Sequence, residues 1–382
     1  MEFYVKKILI NYTGRTAGGP VYAYEMTKAL VNNGAYVCAI ISASICNLSD
    51  WEKLPIKLYK IKTYNSKFEF LFNTIKFCLL ERRKLKKELF AESFDFIYVP
   101  MATYWTGMIN RIFPNVPVCY TIHDPVMHSG EGIFNRIAFK QYSYDMYKAR
   151  WLIVLSKRFI IPVSKIYAKE MENILYIPHG AFWEYKKYMV NQKNPIVKYD
   201  DDSVNFLFFG RIEKYKGIDI LLQAYKRLEK ENICRISLTI AGKGDLSKYR
   251  SIIDELNNVN VINRMILDSE ISSLYAGNNI ITVLPYIDAT QSGVIPTAQI
   301  FNSLIIASDV GAIAEQLDGG KLGILIPCKS IEALYVAMKN ILLDVNDTKY
   351  EEMKKNGQIF VKNLNWNVLG KKLLNAISSD GV

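Results

Sequence analysis

The sequence predicts an α/β protein of two facing Rossmann-like domains, each built on a doubly wound parallel sheet, with a cleft between them. Three observations carry this expectation. Short apolar runs alternate with longer amphipathic stretches from end to end. The alternation occurs twice with the same rhythm, on either side of an aperiodic, charged stretch at 184–203. The chain has 382 residues, half of them hydrophobic, which is too long for one typical core and suits two.

In the first series, strands are expected at Lys7–Asn11, Val37–Ser42, Phe96–Pro100, Val118–His123, Trp151–Leu155 and Leu175–Pro178. Helical patterns lie between them near 21–33, 67–91, 131–149 and 163–172. Glu184–Ser203 loses periodicity, with Pro178 and Pro195 nearby, and reads as a linker. The second series has strands at Phe206–Phe209, Ser237–Ala241, Val259–Asn263, Ile280–Pro285, Leu304–Ser308 and Gly323–Pro327. Helices are expected near 217–230, 247–257, 269–276, 293–302 and 330–343, then 348–363 and 366–378. The expected division is 1–183, a linker at 184–203, and 204–365, with the last helix (366–382) rejoining the first domain.

Charge is uneven. Residues 1–180 hold 24 Lys and Arg against 14 Asp and Glu, nearly all of the chain's net +11. That points to an anionic partner for the first half: a membrane surface, a nucleic acid or a phosphorylated substrate, against the plainer reading of a solvated basic surface. No nucleic-acid module or aromatic-basic strand signature accompanies it, so nucleic acid is set aside. Six scattered cysteines without Cys-x-x-Cys spacing suit buried thiols in a reducing compartment. No cleavable signal peptide is read before the Ile8–Ile10 run, and the apolar stretches fall short of a membrane span. The expectation is a cytoplasmic protein, at most peripheral on the cytoplasmic membrane face.

Three loops carry candidate chemistry. After the strand Phe206–Phe209 comes Gly210-Arg211-Ile212-Glu213-Lys214-Tyr215-Lys216-Gly217, then a helix. Cations at a strand's carboxyl end and a helix's start make sense with an anion between them, or as a solvated basic loop. After Ile280–Pro285 comes Tyr286 through Thr297, in which Thr290, Gln291, Ser292, Gly293 and Val294 precede a helix that tolerates Pro296. Backbone N–H groups at Ser292, Gly293 and Val294 are expected to cradle a diphosphate; an ordinary N-cap is the alternative. The third loop, Thr13 to Pro20, brings Gly18 and Gly19 where a substrate needs close backbone approach. It is not Gly-x-Gly-x-x-Gly, and no acidic residue closes the second strand near Ser42, which argues against a dehydrogenase.

Together these stretches resemble glycosyltransferase family 4, the "glycosyl transferases group 1" family with the GT-B fold. Gly18-Gly19-Pro20 is similar to its glycine loop, Val31 to Val37 to its helix-end Gly-His-x-Val segment, and Thr121-Ile122-His123-Asp124 to its His-Asp turn. Ile177-Pro178-His179-Gly180 stands where Ile-Pro-Asn-Gly is common. Gly210-Arg211 through Lys216-Gly217, Ala241-Gly242-Lys243-Gly244, and Ile305 to Ala312 with Glu315 behind complete the series. One departure stands out. The family's two glutamates eight positions apart are missing; Gln291 and Gln299 have that separation, whereas alignment from Ile305-Ile306-Ala307 puts Ala289 and Thr297 there.

The resemblance implies retaining transfer of a hexose-type sugar from a nucleotide-diphosphate sugar, a UDP-sugar first, to a glycan or lipid-linked glycan, as in bacterial surface polysaccharide synthesis. It implies Arg211 and Lys216 as charge compensation for the leaving diphosphate, with no metal and no further cofactor required. His123 would meet the donor sugar or acceptor, or else be a satisfied structural histidine, with Asp124 orienting it or the acceptor hydroxyl. His179 is read as a hinge or packing residue, and His128 has no role. Gly210 and Thr297 join the donor set, while Gly242, Arg264 and Met265 would flank the base. The first domain would bind the acceptor, with Tyr104 and Trp105 contributing. Separately, Phe68, Leu71, Phe72, Ile75 and Leu79 at helical spacing, before Arg82-Arg83-Lys84-Leu85-Lys86-Lys87, suit an interfacial helix on anionic lipid. The competing reading buries that stripe against the sheet. A non-catalytic partner subunit that binds sugar nucleotide or glycan is the alternative function, motivated by the missing glutamates.

Overall fold

The computed structural model describes residues 5–16, 18–64, 66–125, 133–191, 195–200 and 202–378. His128 lies outside them. The chain divides into two compact units, Met1–Gly180 with Asn365–Val382, and Ala181–Leu364.

In the first unit seven parallel strands run β3-β2-β1-β4-β5-β6-β7 across the sheet. They are β1 Lys7–Tyr12, β2 Tyr36–Ser42, β3 Lys57–Ile61, β4 Phe96–Val99, β5 Val118–Ile122, β6 Trp151–Val154 and β7 Ile174–Tyr176. The central strands are covered on both faces, so they read as unbroken apolar runs: Ile8, Leu9 and Ile10 are all fully buried. β3 was not expected. It is an edge strand whose run is broken by Lys57 and Lys60, and edges tolerate, even favour, such charges. The helix Gly18–Asn32 lies against the C-terminal helix Trp366–Ser378, where a side chain at Gly370 would stand 2.8 Å from the Ala29 methyl.

In the second unit six parallel strands run β10-β9-β8-β11-β12-β13. They are β8 Val204–Phe209, β9 Ile236–Ala241, β10 Val259–Ile262, β11 Ile280–Leu284, β12 Leu304–Ser308 and β13 Ile324–Ile326. Helix Ile218–Glu229 buries Leu221, Leu222, Ala224, Tyr225 and Leu228 on this sheet. Each large apolar side chain so buried contributes about 1.5–3 kcal/mol.

The stretch read as a linker is a correction. Trp183–Asn191 forms a run of 3-10 turns, and Tyr185, Val197 and Tyr199 pack on the second core. The Tyr199 hydroxyl donates to the Leu274 carbonyl at 2.8 Å. A charged, aperiodic sequence hid a segment held by isolated aromatic anchors rather than by a repeating face.

Candidate active site

In each sheet the strand order reverses once, between β1 and β4 and between β8 and β11. Crossovers diverge there and leave a crevice beyond the carboxyl ends. The glycine loop follows β1; Arg211 follows β8; the turn at 289–294 follows β11.

Around the second switch point, close backbone approach builds the loops. Gly210 (φ 140°) and Gly242 (φ 150°) touch: a side chain at Gly242 would meet the Gly210 carbonyl oxygen at 1.7 Å. Gly217 is left-handed, with φ 67°, and a side chain there would stand 1.9 Å from the Pro285 carbonyl oxygen. The Tyr215 carbonyl accepts from Ile287 N–H at 2.7 Å, which ties the Arg211–Lys216 loop to the one after β11. Lys216 Nζ then sits 3.6 Å from the Tyr286 ring centroid, a cation–π contact. The Tyr286 hydroxyl is 3.2 Å from Ser292 Oγ. Arg211, exposed, lies with Nη2 3.3 Å from the Tyr215 hydroxyl. Two cations and the 289–294 turn are thus assembled at one switch point.

The expected cradle of three N–H groups needs correction. Ser292 N–H donates to Gln316 Oε1 at 2.8 Å, and Gln316 Nε2 donates back to the Ser292 carbonyl at 2.9 Å. Val294 N–H points to Ser292 Oγ at 3.3 Å. Gly293, exposed, caps the helix Val294–Ile300. The turn is braced a second time at Gly311, where a side chain would meet the Ala289 carbonyl oxygen at 1.6 Å, and Ala312 N–H donates to the Thr290 carbonyl. Gln316 was missed by sequence reasoning because its partner lies in a different loop.

The two pairs of the expected spacing differ in place. Gln291 is half-buried on the turn, whereas Gln299 is only 2% exposed, packed against Gly357. Gln291 and Gln299 therefore share no surface. Thr297 is also buried, its hydroxyl donating to the Gly293 carbonyl at 3.0 Å. Ala289 and Thr290 are buried too. Beside β9 and β10, Gly244 N–H donates to Asn263 Oδ1. Arg264 is held by Glu270 through both guanidinium amino groups at 2.6 and 2.7 Å, and that pairing lowers the Glu270 pKa. Met265 stands exposed beside it.

In the first unit, a side chain at Gly19 would meet the Tyr12 hydroxyl at 2.4 Å and displace that side-chain end; Gly18 is exposed. His123 is half-buried past β5, its Nε2 2.9 Å from the Pro100 carbonyl oxygen. A carbonyl only accepts, so Nε2 carries the proton. Burial lowers the His123 pKa, which leaves Nδ1 of the neutral ring as an acceptor. Asp124 is exposed next to it. Tyr104 is half-buried in an aromatic group with Tyr64, Phe70 and Tyr142. Trp105, placed with the acceptor by sequence, is a correction: it is 1% exposed, its ring tilted against Phe77, and donates Nε1–H to Thr74 Oγ1.

His179 packs between Tyr22 and Trp366, at ring distances of 5.3 and 5.8 Å. Desolvation, with repulsion from His123 second, pushes its pKa from 6.5 down to about 4. The unfolded chain therefore binds a proton first as pH falls, and stability drops between 6.5 and about 4, levelling below that. The melting temperature is expected to fall through this window, and His179→Gln to flatten the fall; parallel curves for both proteins would contradict the assignment.

Two parallel-sheet units, each with its loops gathered beyond the carboxyl ends of the strands at a switch point, make up the fold, and the comparisons place it in a family. Residues 16–180 match the model described as Glycosyltransferase Family 4, and residues 203–344 the model described as Glycosyl transferases group 1. Together they cover most of the chain, which belongs to this family and is a glycosyltransferase of GT-B type. An uncharacterized glycosyltransferase of Methanocaldococcus jannaschii is 22% identical, over 96% of this chain and 95% of its own. Among solved structures, sucrose-phosphate synthase from Thermosynechococcus elongatus has TM-score 0.72 at 17% identity, covering 98% of each chain. Anabaena HepE, solved in complex with UDP, has TM-score 0.71 at 14% identity, covering 98% of this chain and all of its own. The same protein in complex with UDP-glucose has TM-score 0.68 at 16% identity, covering 98% of this chain and 99% of that one.

Proposed function

We propose that the chain moves a hexose-type sugar, with retention of anomeric configuration, from a nucleotide-diphosphate sugar to a glycan or lipid-linked glycan. The observation that carries this is the pairing of Arg211 and Lys216 at the second switch point, linked through Tyr215 and Tyr286 to the 289–294 turn. Breaking the bond between sugar and diphosphate develops negative charge on the leaving phosphate, and fixed cations stabilise that charge more in the transition state than before it. The departing phosphate oxygen takes the acceptor proton, so no protein base is needed on the reacting face. His123 Nδ1 accepts from a sugar hydroxyl, which orients rather than protonates. Surface polysaccharide synthesis is the setting this chemistry fits, and UDP-sugars are the first donors to try, since HepE is solved with UDP and UDP-glucose.

A thermal-shift screen with UDP-, GDP- and dTDP-sugars tests the donor. A ligand at 100 times its Kd stabilises by about 2.7 kcal/mol. The largest shift is expected with a UDP-sugar; a larger shift from GDP- or dTDP-sugars would overturn that choice. Nucleotide release from the same panel separates this reading from a non-catalytic partner subunit. The second reading is favoured by one observation: in either register the residue standing for the family's second glutamate is unavailable, since Thr297 spends its hydroxyl on the Gly293 carbonyl and Gln299 is core-buried. Binding without release would establish it.

A further inference from the structure

Helical residues 67–88 run as Lys67–Lys76, a wider π turn at Phe77–Glu81, and Arg82–Glu88. Their apolar stripe faces outward. Phe68 is 88% exposed, Leu71 63%, Phe72 69%, Ile75 52%, Leu79 60% and Leu80 63%. The inward side carries Phe77, Leu85 and Leu89 and, unusually, the amide of Asn73, which donates to the Thr63 carbonyl. That bond, with Trp105 bonding Thr74 Oγ1, fixes the rotation, so the stripe cannot turn inward without breaking both. A surface helix ordinarily shows the reverse pattern, with apolar groups inward and amides out.

The stripe leads into Arg82, Arg83, Lys84, Lys86 and Lys87, all exposed. The few contacts they make are weak: Arg82 Nη2 reaches the Arg111 carbonyl at 3.2 Å, and Lys84 lies 3.8 Å from Glu88. Phe70, next in sequence to Leu71, has its ring 4.9 Å from Tyr64, and the Arg15 guanidinium lies 4.5 Å from the centroid of that tyrosine. Phe70 packs on the first core, so the positive charge that borders the outward stripe is the Arg82–Lys87 run along the helix itself.

We infer that this face docks on an anionic lipid bilayer, with Phe68, Leu71, Phe72, Ile75 and Leu79 entering the acyl boundary and Arg82 to Lys87 meeting the headgroups. Charge complementarity selects the occupant. Protein interfaces are depleted in lysine and in charge at their core, whereas bulky apolar residues beside a lysine and arginine cluster suit an interfacial helix on anionic lipid. The inference concerns attachment alone, and stands or falls apart from the transfer reaction.

Vesicle flotation of the full chain tests it, with phosphatidylcholine alone and with about a third phosphatidylglycerol, near 0.1 M salt. Binding is expected on the anionic vesicles and at least tenfold less on neutral ones. Phe68→Ser/Leu71→Ser/Phe72→Ser and, separately, Arg82→Glu/Arg83→Glu/Lys86→Glu/Lys87→Glu should each lower anionic partitioning at least tenfold at unchanged melting temperature. No anionic binding, or partitioning that neither set alters, overturns the inference. So does sedimentation as a dimer that the serine set converts to monomer, because a second copy would then cover the stripe.

Discussion

Alanine at Lys216 lowers kcat/KM for nucleotide-sugar turnover by about 100- to 1,000-fold, the loss usual when one preorganised charge-stabilising group is removed. Arg211→Ala does the same, and the double variant loses less than the sum because the two act on one leaving group. Neither change should unfold the protein. Arg211 is exposed, and Lys216 loses its cation–π contacts over Tyr286 and, more distantly, Tyr215, worth about 1 kcal/mol. Steady-state kinetics with a saturating acceptor is the measurement. A loss below tenfold, about 1.4 kcal/mol, removes these residues from the leaving-group role.

The second large effect is at Gly217. Alanine there keeps φ in the left-handed region and drives its methyl into the Pro285 carbonyl oxygen at 1.9 Å, so the backbone itself has to shift. A destabilisation of about 3 kcal/mol or more is expected. Gly34 is the matched control. Its φ of 86° is also positive, yet a side chain there meets nothing within 4 Å, so Gly34→Ala should cost only about 1 kcal/mol. Because Gly217 seats Lys216, its variant should also lose donor affinity while Gly34→Ala retains it. Urea denaturation with a donor thermal shift reads both, and equal losses at the two glycines would refute the packing argument.

These effects rest on features of uneven legibility. Parallel strands buried on both faces announce themselves as apolar runs, so most strands were readable with small boundary shifts, and the edge strand β10 showed instead by its alternating valines. β3 was not, since two lysines break its run at an edge. For 67–91, spacing supplies the period of the stripe but not its phase; only Asn73 and Trp105 decide which side faces the core. The place of Arg211 and Lys216 in the loop after β8 was legible because that loop follows directly on a buried apolar strand. Whether the N–H groups of Ser292 and Val294 are available depends on Gln316 and on the local hydroxyl, and no pattern within the turn reveals the former. Trp105 reads the same in sequence whether it lines a surface or fills a core.

The amide of Gln316 has a consequence of its own. It accepts from the Ser292 N–H and donates to the Ser292 carbonyl at once, which a carboxylate could not do. A carboxylate would leave the carbonyl unmet and add a negative charge to the turn that Tyr286 links to Lys216. The amide does not titrate, so the turn keeps one shape across the whole range in which a diphosphate changes its ionisation. Its ordering entropy is spent when the unit folds, so the turn that the proposed donor would meet is already braced.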